Sequence, residues 1–272
     1  MEYATEIQHQ RARGRLTLTL QDRDGATAID TLYQQGCLKA RFPRPAAWHE
    51  TVLLNTAGGV AGGDRLALRL GAGPGTRATI TTQAAERFYR AIPGSTAHVT
   101  TEIAVAADAA LEWLPQETIL FDGCALDRTL TIDLAPGAWF LGIEQLVFGR
   151  SAMGETVRQA AIRDRIVLRR DGRLVLHDAT RLIGGVQALL DRPAVAGGGR
   201  AVGTLLMAGP DAAAQLDPLR AALAPFDAGA SVVDGLLVAR IVAADGACLR
   251  AASVAGLAAL RGGRPLPRVW EC

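Results

Sequence analysis

The sequence predicts a mainly β protein made of stacked sheet layers, with two helices in its C-terminal third. Apolar residues recur at every second position along much of the chain, which is the period of a half-buried strand. Small-residue corners recur at 73–76, 107–110 and 135–138, a spacing of 28–34 residues that suits stacked β-layers. Helical patterns are scarce and occur late in the chain.

The strands are predicted where apolar and polar residues alternate, or where short apolar runs are bounded by turn residues. These segments are Leu16–Leu20, Thr51–Leu54, Leu66–Leu70, Val99–Val105, Leu130–Leu134, Ile166–Leu168, Leu174–Leu176 and Leu236–Val238. The segment 169–173 joins two of these runs and contains Asp-Gly, which favours a hairpin turn. The alternation therefore extends over most of the chain.

Two helices are predicted near the C-terminus, on either side of a strand over residues 232–242. The first spans Pro210–Leu223, with Asp211 as its N-cap. The second spans Ser253–Arg261, is capped by Ser253, and is stopped by the two glycines that follow it.

Composition and charge limit the function classes. We expect a single domain over residues 1–272, with a β body over about 1–205 and a helix-containing part over about 206–272. The net charge of +2 excludes a strongly basic nucleic-acid or membrane-surface binder. The N-terminus lacks the pattern of a signal peptide, and no apolar run reaches the roughly 18–20 residues of a membrane helix. We expect a cytoplasmic protein that binds neither nucleic acid nor membranes.

The glycine loop is the segment Asn55–Asp64, and it joins two predicted strands. It contains Gly58, Gly59, Gly62 and Gly63, and it ends in Asp64. Glycines at this density indicate positive φ angles or a close approach of the backbone to another group. A phosphate-binding loop is excluded because an aspartate stands where a lysine is needed, and a dinucleotide fold because a strand follows. The simplest alternative is a tight corner between two strands.

Local catalytic and metal-binding motifs are absent from the sequence. The histidines His9, His49, His98 and His177 are far apart, and Cys37, Cys124, Cys248 and Cys272 form no Cys-x-x-Cys pair, so we expect free thiols. Carboxylates among apolar residues remain, namely Asp64, Glu112, Glu117, Asp122, Glu144 and Glu155. Each needs a partner or water.

Two explanations for these carboxylates stay open. Arginines could neutralise them, and the candidates are Arg65, Arg87, Arg90, Arg128 and Arg150. Alternatively, the carboxylates line a hydrated interior passage for a divalent ion. Carboxylate and water ligands hold nickel less tightly than imidazole or thiolate ligands do, which suits a passage that must release its cargo.

Four blocks resemble the urease accessory protein UreD (UreH) family, and they occur in the family's order over roughly 50–155. They are the glycine-loop segment 51–64, the segment 78–90, the segment 111–123 with Leu-Glu-Trp-Leu-Pro-Gln-Glu-Thr-Ile, and the segments 142–144 and 148–155. The third block and the double Gly-Gly-Asp loop are specific. At 83–84 the chain has Gln-Ala where some relatives have Pro-Gly, so the turn there is open.

The resemblance implies a β-helix-like body with two helices and a function without catalysis. Proteins of this family join apo-urease to UreF-type and UreG-type (GTPase) accessory proteins and help deliver nickel, so the implied cofactor is transient nickel and the implied partners include the urease subunits. The candidates carried over for the nickel path are Asp64, Glu86, Glu117, Asp122, Glu144 and Glu155. Glu86 has an alternative partner in Arg90, because 83–89 reads as a helix-like or turn segment.

Two rival functions remain open. A hydrolase or isomerase could use paired carboxylates near the Gly58–Asp64 loop as acid and base. A passive structural β protein would use no metal.

Overall fold

A computed structural model of the protein describes residues 10–44, 47–150 and 153–271. The strands are β1 Arg13–Arg23, β2 Ala26–Gly36, β3 Leu38–Arg41, β4 His49–Asn55, β5 Arg65–Ala72, β6 Arg77–Thr82, β7 Glu86–Phe88, β8 Ala97–Val105, β9 Ala110–Leu114, β10 Thr118–Leu120, β11 Ala125–Leu134, β12 Trp139–Phe148, β13 Gln159–Arg170, β14 Arg173–Gly185, β15 Ala201–Ala208, β16 Ala228–Val233 and β17 Leu236–Ala243. The helices are α1 Val186–Leu190, α2 Leu216–Leu223 and α3 Gly246–Leu260, with 3₁₀ turns at Ala213–Gln215 and Arg268–Trp270.

The strands form two sheets, which we name sheet A and sheet B. Sheet A has the order β14-β13-β11-β8-β5-β1-β2, and sheet B has the order β16-β17-β15-β12-β9-β6-β4-β3. The short strands β7 and β10 pair with each other, and β10 pairs with the end of β12. The prediction of a mainly β protein is therefore confirmed.

The chain winds as stacked coils between these sheets. From β4 to β13 it passes back and forth, and the neighbouring strands in each sheet are parallel. Side chains on neighbouring coils contact one another. Arg69 forms a hydrogen bond with Glu102, and Thr79 forms one with Glu112, in each case 33 positions further along the chain. The predicted layered, β-helix-like stack is confirmed.

The recurring small-residue corners are the turns that lead each coil from sheet A to sheet B. Each corner has a residue with positive φ, at Gly75 (74°), Asp108 (59°) and Gly137 (76°). Successive corners hydrogen-bond to one another, because Ala110 N donates to Thr76 O at 2.8 Å. The recurring small-residue corners of the sequence therefore mark successive coils of the structure.

The main core lies between the two sheets. Strand β8 shows the alternation clearly, because each of its residues is buried or exposed in strict turn. A second apolar cluster lies on the other side of sheet B, where Leu219 of α2 and Leu249 and Leu257 of α3 cover Ile143 and Leu205. Within the described ranges, the helices are too short or too polar to cross a bilayer.

The ends of the predicted helices differ from the structure. Helix α3 begins at Gly246 and is capped by Asp245, whose side chain accepts from Cys248 N. Ser253 is not a cap, because it lies buried inside α3 and donates to Gln145 Oε1 at 2.7 Å. The first predicted helix is a 3₁₀ turn followed by α2, and no side-chain capping bond from Asp211 begins it.

Two hairpins account for the other turns of interest. The predicted hairpin at 169–173 is confirmed, since Asp171 and Gly172 both have positive φ between β13 and β14. The predicted single strand over 232–242 was wrong. It is the end of β16, a turn at Asp234 and Gly235, and most of β17. Helix α1 was not predicted.

Candidate functional site

The glycine loop connects β4 to β5 and is bonded to the strand β7 beside it. Val60 N donates to Arg87 O at 2.7 Å, and Tyr89 N donates to Val60 O at 2.8 Å. Gly58, Gly59 and Gly63 have positive φ angles of 76°, 133° and 91°. The loop is therefore a fixed turn built from backbone hydrogen bonds.

Two of its glycines, Gly59 and Gly62, are required by space, and Gly59 is required by its positive φ as well. A Cβ on Gly59 would lie 2.4 Å from the Tyr89 ring and 3.0 Å from Arg87 O. A Cβ on Gly62 would lie 2.3 Å from Ser95 Oγ and 2.7 Å from Ala91 Cβ. These approaches explain the close backbone packing that the sequence indicated.

Asp64 closes the loop from inside. It is 4% exposed, and its two oxygens accept from Ala12 N at 2.8 Å and from Ala61 N at 2.7 Å. Two N–H donors satisfy this buried carboxylate without an arginine. Asp64 does not line either of the two interior cavities described below.

The first cavity lies between the sheets and has a volume of about 270 Å³. It extends from Gly58, Gly59 and Glu86 at the loop to Arg128 and Glu144 in the middle of the molecule. Its walls are mostly apolar side chains from both sheets. The few charged groups among them are the ones that could bind a polar or charged ligand.

Glu86 lies at the loop end of this cavity, on β7. Its Oε2 accepts from Asn55 Nδ2 at 3.0 Å and its Oε1 from Arg87 N at 3.1 Å. Burial raises the pKa of Glu86, and these two hydrogen bonds oppose the rise. Of the two predictions for 83–89, helix-like or turn, the helix was wrong, because a bend at Gln83 and Ala84 leads into β7. The predicted Arg90 pairing was also wrong, because Arg90 binds Asp122 instead.

A charged cluster closes the far end of the first cavity, and we name it the Arg128 cluster: Arg128, Glu144 and Asp164. Arg128 Nη1 lies 2.9 Å from Glu144 Oε2. The same guanidinium donates twice to Asp164, from Nε at 2.7 Å and from Nη2 at 2.6 Å. Trp113 Nε1 donates to Glu144 Oε1 at 2.7 Å, and Thr118 Oγ1 accepts from Arg128 at 3.0 Å.

The cluster is charged and lies in the interior. Burial raises the pKa of Glu144, and the Arg128 charge opposes that rise. Burial lowers the pKa of Arg128, but Asp164 and Glu144 outweigh burial and hold the pKa above its ordinary value. Arg128 therefore stays a guanidinium ion while it is paired in this way.

A second cavity of about 280 Å³ begins on the other side of the cluster. Glu144 lines both cavities, whereas Asp164 lines only the second. Asp178 and Arg240 also line it, and they form an ion pair at 2.6 Å that joins β14 of sheet A to β17 of sheet B. The two cavities and the Arg128 cluster thus lie in series.

The other predicted path residues are paired elsewhere. Glu117 binds Arg250 at 3.1 Å, and Glu155 binds Arg150 at 2.8 Å. Asp122 accepts from the Arg158 and Gln159 N–H groups and from Arg90, and these bonds hold its pKa below the ordinary value. Of the six candidates, only Glu86 and Glu144 line either of these two cavities.

Most of the buried carboxylates are thus paired with an arginine or hydrogen-bonded by main-chain N–H groups or an amide. The described ranges contain no group of three or more His, Cys, Asp or Glu side chains that could hold a metal ion. The predicted path residues are not brought together into one site. Cys37, Cys124 and Cys248 are free thiols, while Cys272 and His9 lie outside the described residues, as does part of the fourth block, 151–152.

Sequence reasoning missed Asp164, Asp178 and Arg240, and treated Arg128 only as a possible counter-ion. A signal was available in the alternation. Arg128 stands on the same face as Leu126 and Leu130, and Asp164 on the same face as Ile162 and Ile166. A charged residue on the apolar face of a strand indicates an interior polar site.

Comparisons with known proteins agree with one another. A family model described as "UreD urease accessory protein" matches residues 12–271. The chain is 48% identical to "Urease accessory protein UreD" of Rhizobium leguminosarum bv. viciae, over 98% of each chain. It is 46% identical to the protein of the same name from Xanthobacter autotrophicus, over 96% of this chain and 90% of that one. The chain therefore belongs to the UreD family of urease accessory proteins.

Proposed function

We propose that this protein is a urease maturation factor. It binds apo-urease together with UreF-type and UreG-type partner proteins, and it helps nickel reach the urease active site. The family match and the curated relatives, each called a urease accessory protein, support the role in maturation. The role is that of a scaffold and conduit without turnover of its own.

The observation that carries the nickel part is the series of two interior cavities that meet at Glu144. Carboxylate oxygens occur along this line, at Glu86 near the glycine loop, at Glu144 in the middle, and at Asp164 and Asp178 beyond. Oxygen ligands suit a transiently held divalent ion, because they bind nickel less tightly than nitrogen or sulfur ligands do.

The geometry at Asp64 does not favour the hydrolase or isomerase alternative. That alternative needs paired carboxylates near the loop, with one of them free to exchange a proton with a substrate. Both oxygens of Asp64 already accept main-chain N–H groups, and the side chain is buried. Asp64 is therefore better suited to fixing the loop than to acid–base chemistry.

The test uses cells that carry the urease operon with this gene present, deleted or restored. Urease activity and urease-bound nickel are measured in each strain at the same urease level. We expect deletion to leave urease low in both, and the restored gene to recover both. Unchanged activity and nickel after deletion would contradict the maturation role.

Partner binding is tested separately by affinity purification of the full chain from the same cells. The expected co-purified proteins are the urease subunits and the UreF-type and UreG-type proteins, in the absence of added nickel. Recovery of the chain alone under conditions where urease is abundant would count against a scaffold. Turnover of candidate substrates by the purified chain would favour the enzyme alternative.

A further inference from the structure

Arg128 lies at the boundary between the two interior cavities. It lines the first cavity, Asp164 lines the second, and Glu144 lines both. Arg128 belongs to β11 of sheet A, but its guanidinium crosses to Glu144 on β12 of sheet B. One side chain therefore joins the two sheets at the point where the cavities meet.

The hydrogen bonds of the cluster leave little for an arriving cation. Three of the four carboxylate oxygens of Glu144 and Asp164 accept a hydrogen bond, and the fourth, Glu144 Oε2, forms an ion pair with Arg128 Nη1 at 2.9 Å. Arg128 supplies two of these hydrogen bonds, both to Asp164, and Trp113 supplies the third, to Glu144. A cation that enters the junction meets oxygens that are occupied by another cation.

Charge adds to this barrier. The side chain of Arg128 is 12% exposed, and those of Glu144 and Asp164 are 11% and 9% exposed. Water screens charges poorly in such surroundings, so a divalent ion beside the guanidinium is strongly repelled. The same ion would be attracted to the two carboxylates if the guanidinium moved away.

We propose that Arg128 is the gate of the passage, and that a divalent cation crosses the junction only when the guanidinium releases Glu144 and Asp164. The first cavity adjoins Arg128 and gives its long side chain a space to enter. Its role as a gate for nickel rests on the proposed function, whereas the block at the junction rests on the geometry alone.

The gate makes a prediction for the purified full chain and nickel ion alone. In Arg128→Met the two carboxylates lose their resident cation, so nickel can take its place. We expect titration calorimetry to show one more equivalent of bound Ni²⁺ in Arg128→Met than in the parent chain. The double variant Arg128→Met/Glu144→Gln should lose this gain.

The matched control is Arg165→Met. Arg165 pairs with Asp127 on the neighbouring strand of sheet A, outside both cavities. This change also removes an arginine from an aspartate, but at a place where no passage exists. A gain of nickel in Arg165→Met equal to that in Arg128→Met would overturn the gate, as would a folded Arg128→Met that binds no more nickel than the parent.

Loss of folding is covered by a second readout and a second variant. Arg128→Met leaves two buried carboxylates without a counter-ion, so its melting temperature should be low and should rise with nickel more than that of the parent. Arg128→Lys keeps the charge but cannot bridge three oxygens, and should show a smaller gain in nickel binding. If neither variant gains nickel binding or nickel-dependent stability, the proposal is wrong.

These outcomes separate the gate from the function on which it draws. If deletion of the gene lowers urease nickel but the Arg128 variants bind nickel like the parent, the maturation role stands and the gate falls. If the Arg128 variants gain nickel binding but deletion of the gene leaves urease-bound nickel unchanged, Arg128 does block cations at the junction, and the maturation role is wrong.

Discussion

Glu112 and Arg261 lie 149 positions apart and form a buried ion pair, with Arg261 Nη2 at 2.8 Å from Glu112 Oε2. Glu112 is on the outer side of β9, and Arg261 directly follows helix α3. Arg264 adds a second contact to the same carboxylate at 2.7 Å, and Thr79 donates to it at 2.6 Å. This carboxylate therefore fastens the C-terminal segment to the β body.

Replacing Glu112 with glutamine should lower stability strongly. Removing one partner of a buried pair leaves the other charge uncompensated, and we expect a loss of about 3 kcal/mol in the free energy of unfolding at neutral pH. Urea unfolding followed by circular dichroism measures it. The control is Glu102→Gln, which removes an exposed partner of Arg69 and should cost less than about 1 kcal/mol.

The effect of Glu112 should depend on pH in a defined direction. Burial raises the pKa of Glu112, but the hydrogen bonds from Arg261, Arg264 and Thr79 and the charge of Arg261 outweigh it and hold the pKa below its ordinary value of 4.5. The stabilisation is therefore complete above the unfolded-state pKa and is lost as the pH falls through the folded-state pKa. The gap between the parent and Glu112→Gln should shrink below pH 4.5. A gap that grows with acidity would contradict this assignment.

Two adjacent glycines of the loop should respond differently to alanine. Gly58 needs only a positive φ, because no atom lies within 4 Å of a Cβ there, so Gly58→Ala should cost about 1 kcal/mol. Gly59→Ala meets the Tyr89 ring and Arg87 O in addition to an unfavourable φ of 133°, and should cost about 3 kcal/mol. Urea midpoints for the two variants decide. Equal losses would mean that the loop moves freely enough to absorb the contact.

The strands and their stacking could be predicted because their cause is local. A strand between two layers shows its buried face in the sequence, as Val99, Thr101 and Ile103 do in β8. Helix ends were harder because their cause is partly distant. Ser253 has the chemistry of a cap, yet its hydroxyl bonds Gln145, 108 positions away, and the cap is Asp245.

The candidate site was only half predictable for the same reason. The apolar residues on both sides of Glu144 marked it as a candidate in the sequence. The cavities, however, depend on how the side chains of successive coils pack against one another, and a single sequence does not give that register. Asp64 and Glu144 look alike in the sequence, as carboxylates beside apolar runs. In the structure, main-chain N–H groups satisfy Asp64, whereas Glu144 faces two cavities.

Asp64 should therefore act through the shape of the loop. Asp64→Ala leaves Ala12 N and Ala61 N without acceptors in a buried place, and we expect a loss of about 2–3 kcal/mol. Asp64→Asn can satisfy one of the two donors and should lose less. If urease activation in cells falls in proportion to the folded amount of each variant, the role is structural. A folded Asp64→Asn that cannot activate urease would instead place Asp64 on the nickel path.

Glu144 should act on nickel transfer more than on folding. In Glu144→Gln the amide oxygen can still accept the Trp113 bond and Arg128 keeps both of its bonds to Asp164, but the amide NH2 then faces Arg128 Nη1, so we expect a folded protein with a moderately lower melting temperature. The carboxylate that faces both cavities is lost, however, and a neutral amide attracts a divalent ion far less than an anion does. Urease activity and urease-bound nickel should therefore fall several-fold in cells that carry this variant at the parent protein level.

Glu102→Gln removes a carboxylate of the same size from the exposed side of sheet A and should leave both readouts unchanged. Full activation by Glu144→Gln would remove Glu144 from the proposed path, and an equal fall in both variants would show that the loss does not depend on the passage.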